Sequence, residues 1–208
     1  MLKKGLVILT VVALSAGLLA GCGGGDKKAA EPQAQQIVFK LGETHPPDYP
    51  TTLADKKFAE LVAERSKGRI KIEVYPSAQL GEEKAVIEQV QLGAIAFTRV
   101  SSSPLAEFNK PLGVFSLPYI FDNADHMWKF LNGPDGQKLL DGMASSKMMG
   151  LTYYDGGTRS FYSIKPLKDI SDLKGLKIRV QQNAINMDML SALGANATPM
   201  AYGQVFSA

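Results

Sequence analysis

Short apolar runs alternate with longer segments of helical periodicity between residues 37 and 100. The three apolar runs are residues 37–41, 70–74 and 94–100, and the two helical segments are residues 51–66 and 81–92. A chain that alternates strand and helix in this order forms a mostly parallel sheet with helices on both faces. The sequence therefore predicts an α/β fold for this part of the chain.

Glu43 and His45 follow the first predicted strand, and Pro46 and Pro47 end regular structure directly after them. Ligands of open α/β sheets bind beyond the carboxyl ends of the strands. His45 is therefore a candidate ligand contact. A loop histidine surrounded by water is the alternative interpretation, and the sequence leaves both open.

Three consecutive serines, beginning at Ser101, lie between the third predicted strand and Pro104. Hydroxyl groups at this position can cap the helix that follows. They can also donate a hydrogen bond to a ligand oxygen, and one run of serines can do both. Capping is the favoured interpretation.

Further elements are predicted on both sides of a crossover at Gly156 and Gly157. Helices are expected at residues 123–132, 136–147 and 183–193, and strands at residues 151–154, 159–163 and 176–180. Two adjacent glycines between two strands suit a crossover, because glycine lets the backbone bend. We therefore expect a first lobe at residues 37–155 and the start of a second lobe at residues 156–208.

Two arginines lie on the strands predicted after the crossover. Arg179 alternates with the apolar side chains of residues 176–180, and Arg159 stands at the head of residues 159–163. A guanidinium held on a rigid strand can meet a carboxylate with two parallel hydrogen bonds. An edge-strand arginine in water is the alternative for Arg179 alone, and the second arginine favours an anion site.

Residues 1–21 have the features of a secretion signal, because Lys3 and Lys4 precede an uncharged, mostly apolar run that ends just before Cys22. The ending resembles a bacterial lipobox, which implies that Cys22 is lipidated and anchors the protein to the outer face of a membrane. An ordinary signal peptide and a membrane span are the alternatives, although the run is short for a span. Residues 22–36 contain no large apolar side chain, which predicts a flexible tether.

Charge and composition exclude several function classes. The formal charge is +3, and removal of Lys3 and Lys4 with the signal leaves about +1, which argues against a nucleic-acid partner. One cysteine and two histidines argue against a metal site, and we expect no cofactor. No nucleophile elbow and no paired-carboxylate motif occurs, so we do not expect an enzyme.

Several motifs in a fixed order carry a family resemblance. They are VYPSAQLG at residues 74–81, FSLPY at 115–119, GTR at 157–159, LKGLKIRV at 173–180, GA at 194–195 and TPMAY at 198–202. Together they resemble the DctP-type solute-binding proteins of TRAP transporters. The resemblance implies a periplasmic-binding-protein-like fold, in which two α/β lobes joined by crossing strands close over a ligand.

The resemblance also assigns roles to residues. It implies that Arg179 holds the ligand carboxylate with two hydrogen bonds, that Arg159 assists it, and that Tyr202 lines the closed cleft. Glu83 and Ser101 match positions where some members contact the ligand or its waters. The implied ligand is a small organic acid, either a carboxylate or a dicarboxylate. It would be captured for ion-coupled uptake through a small and a large membrane subunit.

Members of this family continue well beyond the point that corresponds to residue 208. We therefore expect the chain to be a C-terminally truncated member that lacks the second part of both lobes. A binding protein of an ABC importer or of a chemosensor is the alternative function. A lyase or hydrolase that uses the arginines as an anion clamp is a further alternative.

Overall fold

A computed structural model describes residues 35–207 of the chain. Its strands are β1 (Ile37–Gly42), β2 (Ile70–Tyr75), β3 (Phe97–Thr98), β4 (Lys177–Val180) and β5 (Asn196–Pro199). Its α-helices are α1 (Pro50–Arg65), α2 (Glu83–Gln91), α3 (Ser102–Leu105), α4 (Ala124–Leu131), α5 (Pro134–Gly142) and α6 (Ala184–Ala192). Short 3-10 helices cover Lys110–Ser116, Met143–Ser146, Ile170–Leu173 and Tyr202–Ser207. The signal, Cys22 and most of the tether lie outside the described residues.

The first sheet has the order β2-β1-β3, and both pairs of strands are parallel. Gly42 ends the central strand and pairs with Tyr75 on one side and Thr98 on the other. A Cβ atom at Gly42 would lie 3.1 Å from Val86 of α2, so a glycine allows the helix to pack closely on the strand end. The alternation of strand and helix predicted from the sequence is confirmed here.

Two separate apolar cores support the described part of the chain. The first contains Ile87, Ala106, Leu112, Met143 and Met148, and the second contains Leu173, Leu190 and Ala195. Ile87 of α2 and Leu190 of α6 are both fully buried. The helix α2 therefore belongs to the first core, and the helix α6 belongs to the second core.

The second sheet consists of β4 and β5, which pair in parallel from Lys177 opposite Asn196 to Val180 opposite Pro199. The strand β5 is an addition to the predicted elements, because its polar sequence NATP carries no apolar alternation. It forms since Gly194, with a φ of 75°, turns the chain after α6 and returns it beside β4.

The strands predicted at residues 151–154 and 159–163 are absent, so these two predictions are wrong. Both segments lack regular secondary structure, and Leu151 and Tyr162 are exposed. A strand needs a neighbour that satisfies its backbone N–H and C=O groups. Within residues 35–207 no strand pairs with either segment. Arg159 therefore lies on an irregular segment and not at the head of a strand.

The N-terminal end of α6 packs against the segment that follows the first sheet. Asn183 donates through Nδ2 to the Ser103 carbonyl oxygen at 2.7 Å, and the backbone N–H of Ala184 donates to a Glu107 carboxylate oxygen at 2.9 Å. A Cβ atom at Gly113 would lie 2.8 Å from Ile185 Cδ1. These contacts hold β4 and α6 next to the first part of the chain. None of the helices within residues 35–207 is both long and apolar enough to cross a membrane.

Candidate functional site

A narrow cleft lies where the first sheet's helices meet the second sheet. Its lining residues are Glu82, Glu83 and Pro104 from the first part of the chain and Arg179, Gln181, Gln182, Met200, Ala201 and Tyr202 from the second. Three of the six ligand contacts expected from the sequence, Arg179, Tyr202 and Glu83, therefore line one cleft.

Arg179 extends from the rigid strand β4 and is half-buried. Its Nε and Nη2 atoms donate to the Met200 carbonyl oxygen at 3.1 Å and 2.7 Å. A guanidinium carries five N–H groups, so these two bonds fix its orientation and leave further donors for a ligand. Burial, and next the positive charge of Arg159, lower the pKa of Arg179, while the carboxylates of Glu83 and Glu82 act in the opposite direction.

Arg159 reaches the same region from the irregular segment and donates to the Gln181 side-chain oxygen. Much of Arg159 is exposed, but nearby protein groups displace water from it and so lower the pKa of Arg159. The negative charge of Glu83 partly offsets this lowering. Two guanidinium groups that disfavour each other's charge are most stable when an anion lies between them. The structure thus brings the two predicted arginines together.

Glu83 begins α2 and is 8% exposed. One of its carboxylate oxygens accepts the backbone N–H of Ser101 at 2.6 Å and lies 3.6 Å from Nη1 of Arg99. The positive end of the helix dipole also favours a carboxylate at this position. The side chain is therefore held in one orientation at the cleft wall.

Ser101 occupies the N-cap position of the short helix α3, but its side chain makes no capping hydrogen bond. The favoured interpretation of this serine as a helix cap is therefore wrong. The backbone N–H of Ser101 is bound to Glu83, and its hydroxyl has no partner within residues 35–207. The hydroxyl group is free to meet a ligand or a water molecule.

His45 is buried, which excludes the interpretation of a loop histidine surrounded by water. Its ring stacks on Tyr49 with centroids 4.2 Å apart, and its Nδ1 lies 2.7 Å from a Glu43 oxygen. On the other side, the Tyr202 ring lies 4.8 Å away at 60°. His45 is thus the point at which the first loop of the chain touches the segment after β5.

Arg99 is a residue of the site that no sequence motif predicts. Its Nε donates to Glu43 at 2.7 Å, its Nη2 donates to the Thr51 hydroxyl at 3.0 Å, and it also contacts Nδ1 of His45. The sequence signal for Arg99 is its position, because it is a cation directly after β3, at the edge where the parallel strands end. Its partner Glu43 lies 56 positions away in sequence, and no local pattern links the two.

A buried acidic pair lies behind His45. Desolvation alone would raise the pKa of Glu43, but hydrogen bonds from His45 and the charge of Arg99 lower it to about 2. Asp55 of α1 is 2% exposed, and burial beside the Glu43 charge raises its pKa to about 7. Burial and Asp55 likewise raise the pKa of Tyr154 to about 12. One Asp55 oxygen, Oδ2, has no hydrogen-bond partner.

No group of three or more His, Cys, Asp or Glu side chains is placed to hold a metal ion within the part of the chain that the structure describes. The chemistry available in the cleft is instead that of charged and polar binding groups. Arg179 lines the cleft together with the carboxylates of Glu82 and Glu83, and Arg159 donates to the lining residue Gln181. The arrangement can orient a small polar anion.

Comparison with known proteins gives one consistent result. Residues 41–208 match the bacterial extracellular solute-binding protein family 7, DctP. A solute-binding protein of Chromohalobacter salexigens is 37% identical over 174 residues, which cover 83% of this chain and 52% of that relative. The C4-dicarboxylate-binding protein DctB of Bacillus subtilis is 36% identical over 172 residues, which cover 82% of this chain and 49% of that relative.

Solved structures agree with this match. The TRAP periplasmic solute-binding protein of Xanthobacter autotrophicus, crystallised with β-D-galacturonate, superimposes with a TM-score of 0.79 at 43% identity. The match covers 81% of this chain and 57% of that structure. The expected two-lobed, periplasmic-binding-protein-like α/β class is thereby confirmed. The chain spans about half the length of the curated relatives it matches.

Proposed function

Because the chain belongs to family 7 of the bacterial extracellular solute-binding proteins, the DctP family, we propose that it captures a small organic acid for TRAP-type uptake. The family consists of extracytoplasmic solute-binding proteins that serve transport, and it is not a family of enzymes. The proposed activity is accordingly reversible binding without chemical change. Two of the similar proteins bind carboxylic acids, galacturonate in the Xanthobacter autotrophicus structure and a C4-dicarboxylate in Bacillus subtilis DctB.

The observation that carries the proposal is Arg179 in the cleft lining, with Arg159 bound to the neighbouring lining residue Gln181. Arg179 is oriented by Met200, and Arg159 lies close enough to disfavour the charge of Arg179. A ligand carboxylate between them would receive charge-assisted, parallel hydrogen bonds and would relieve this repulsion. We assign Arg179 as the main carboxylate contact and Arg159 as its assistant.

Closure of two lobes around the ligand is the proposed mechanism. In this proposal, residues 37–155 and 156–208 belong to different lobes, and Tyr202 and His45 meet across the cleft. Closure expels water from the arginine–carboxylate pair, which strengthens it because the local dielectric falls. Glu83, Ser101 and His45 would complete the wall opposite the arginines.

Delivery to the membrane is the remaining part of the proposal. Lipidation of Cys22 would anchor the protein at the outer face of the cytoplasmic membrane, or in the periplasm, and residues 22–36 would act as the tether. The small and large TRAP membrane subunits would receive the ligand from the closed protein. The sequence around Cys22 supports the anchor, and the family supports the subunits.

Calorimetric titration of the full-length natural protein with organic acids tests the arginine assignment. We expect Arg179→Ala to weaken binding by roughly 3–5 kcal/mol, as does removal of one partner from a buried charge pair. Lys177→Ala is the matched control, since it removes an exposed cation from the same strand outside the cleft lining. Equal affinity of Arg179→Ala and the unmodified protein would refute the assignment.

A further inference from the structure

Positive charge is concentrated in one surface turn between α1 and β2. This basic turn, residues 65–71, contains four exposed cations and no acidic side chain, and the cations are Arg65, Lys67, Arg69 and Lys71. Residues 37–208 together carry a formal charge of about +1, so the +4 of the basic turn leaves about −3 for the rest of the body. The charge of the body is therefore strongly uneven, although its sum is close to zero.

The basic turn lies where the folded body joins the proposed tether. The backbone N–H of Ile37 donates to the Arg69 carbonyl oxygen at 2.8 Å, and Nε2 of Gln36 donates to the Gly68 carbonyl oxygen at 2.9 Å. Ile37 is also paired with Ile70 at the start of the parallel strands β1 and β2. The chain therefore enters the fold directly beside the four cations.

The backbone of the basic turn is held in one conformation by Ser66, which is 8% exposed. The Ser66 hydroxyl donates to the Ala63 carbonyl oxygen at 3.2 Å and accepts the backbone N–H of Ile70 at 3.0 Å. The Ser66 carbonyl oxygen accepts Nε of Arg69 at 3.3 Å, and Gly68, with a φ of 76°, turns the chain after the helix. The cations are thus presented on a fixed backbone that needs no ordering on contact with a partner.

Three of the four cations have no carboxylate partner within the described part of the chain. Lys71 lies 2.7 Å from an oxygen of Glu73, but no salt bridge forms at Arg65, Lys67 or Arg69 there. The dipole of α1 favours a cation in its last turn, which accounts for Arg65. It does not account for Lys67 and Arg69, which lie beyond the helix. Unpaired like charges this close together repel, and an anionic surface would relieve the repulsion.

We propose that the basic turn is a membrane-contact surface that binds the anionic head groups of phospholipids. This inference rests on the proposed function, because the tether and lipid at Cys22 would hold the turn near the membrane. The attraction of a basic segment to anionic lipid falls off within a Debye length of about 8 Å at physiological salt. Tethering raises the effective concentration of the turn at the surface, so a weak contact is sufficient.

Contact through the basic turn would also orient the site. The turn lies at the amino end of β1, whereas Glu43 and His45 follow the carboxyl end of the same strand. A strand of six residues separates these two ends by about 20 Å. With the basic turn on the membrane, the carboxyl ends of the first sheet face away from it and toward the solute. The contact therefore favours the orientation for capture.

Sedimentation with protein-free vesicles tests the contact without the lipid anchor. The full-length natural protein, without residues 1–21 and with Cys22→Ser, is mixed with vesicles of phosphatidylcholine alone or with added phosphatidylglycerol. We expect at least tenfold stronger partition onto the vesicles that contain phosphatidylglycerol. The difference should disappear in 1 M salt, where the Debye length is about 3 Å. Equal partition onto both kinds of vesicle at low salt would overturn the inference.

Charge substitutions identify the surface responsible. The combined variant Arg65→Gln, Lys67→Gln, Arg69→Gln should reduce partition onto phosphatidylglycerol vesicles at least tenfold. The variant Arg65→Lys, Arg69→Lys keeps the charge and should bind as the unmodified protein does. Both variants should keep the affinity for an organic acid, because the basic turn lies outside the cleft lining.

The matched control removes three exposed cations from α4, α5 and the segment after them, as Lys129→Gln, Lys138→Gln, Lys147→Gln. It changes the net charge equally and should leave the partition unchanged. An equal loss in this control would show that net charge alone is responsible and would overturn the inference.

Further outcomes separate other partners from the lipid. Calorimetric binding of inorganic phosphate alone, competing with the vesicles, would indicate a site for a free ion and overturn the proposed surface. Binding only to vesicles that carry the TRAP membrane subunits would indicate a protein partner and overturn it as well. Mass spectrometry of Cys22 tests the anchor separately: a cysteine without lipid would refute the anchor, whereas the vesicle measurements decide the basic turn.

Discussion

Asp55 is the residue whose protonation most affects the stability of the site region. Its pKa is raised from 3.8 to about 7 by burial and by the adjacent Glu43. The folded state therefore binds the proton of Asp55 more tightly than the unfolded state. Stability from this group is complete below about pH 4 and is lost as the pH rises through about 7. Glu43 acts in the opposite direction, since its lowered pKa contributes stability that is lost only as the pH falls toward about 2.

Asp55→Asn should accordingly stabilise the protein at high pH and have little effect at low pH. An amide resembles the protonated carboxyl group but carries no charge beside Glu43. The gain at pH 9 can reach roughly 4 kcal/mol, because one pKa unit corresponds to about 1.4 kcal/mol. Urea unfolding between pH 4 and pH 9 measures the difference. Asp48→Asn, at an exposed aspartate of the preceding loop, should show no such pH dependence, and parallel pH profiles of all three proteins would contradict the explanation.

At the scale of single residues, the position of Arg179 on a strand makes it a candidate, and the family resemblance adds Glu83 and Tyr202. All three line the cleft. Arg99 and Asp55 were missed because their importance comes from partners that only the fold brings near. Burial of a charge is a property of the packed structure, and no local pattern reports it.

At the scale of elements, strands were less predictable than helices. The helices α1, α2, α4, α5 and α6 were all expected, since each carries its own backbone hydrogen bonds. A strand depends on a neighbour. Residues 151–154 look like a strand but have no partner within residues 35–207, whereas β5 has an unremarkable sequence and forms because β4 lies beside it. In both cases the presence or absence of a neighbouring strand, and not the local sequence pattern, determined whether a strand formed.

The helix α5 offers a test of how closely it packs on the preceding helix α4. A Cβ atom at Gly136 would lie 2.2 Å from the Leu131 carbonyl oxygen and 2.6 Å from its carbonyl carbon. These are backbone atoms that have no alternative rotamer. We expect Gly136→Ala to destabilise the protein by about 1–3 kcal/mol, as overpacking does, although alanine favours helices. Chemical unfolding of the purified variant measures the change.

Gly142 at the other end of α5 provides the control. No atom lies within 4 Å of the Cβ that Gly142→Ala would add, and its φ of −61° suits any residue. Alanine there should therefore stabilise the protein by up to about 1 kcal/mol. If both substitutions shifted stability in the same direction, the close approach of the helices would not be the cause.

At the scale of the whole molecule, the site depends on contacts between residues far apart in the chain. The carboxyl ends of the first sheet supply Glu43, His45 and Arg99, and the second sheet supplies Arg179 and the segment with Tyr202. Parallel strands bring their ends to one edge, so each half presents its polar groups toward the same gap. The α/β class and the approximate position of the gap follow from the sequence. The contact of Tyr202 with His45 does not, because it depends on how the two sheets are oriented.

The aromatic contact between the two halves should control how slowly the ligand leaves. Tyr202 lies against His45 at 4.8 Å, and His45 is itself fixed by Tyr49 and Glu43. In the closed form that we propose, removal of the ring in Tyr202→Ala takes away about 1–1.5 kcal/mol of aromatic contact. In the full-length natural protein, we expect roughly tenfold faster dissociation and little change in association, since affinity differences at one interface act mainly on the off-rate. Stopped-flow fluorescence with a bound acid measures both rates. Tyr202→Phe keeps the ring and should dissociate at nearly the original rate, whereas slower association with unchanged dissociation in Tyr202→Ala would place the ring in the encounter step and not in the closed form.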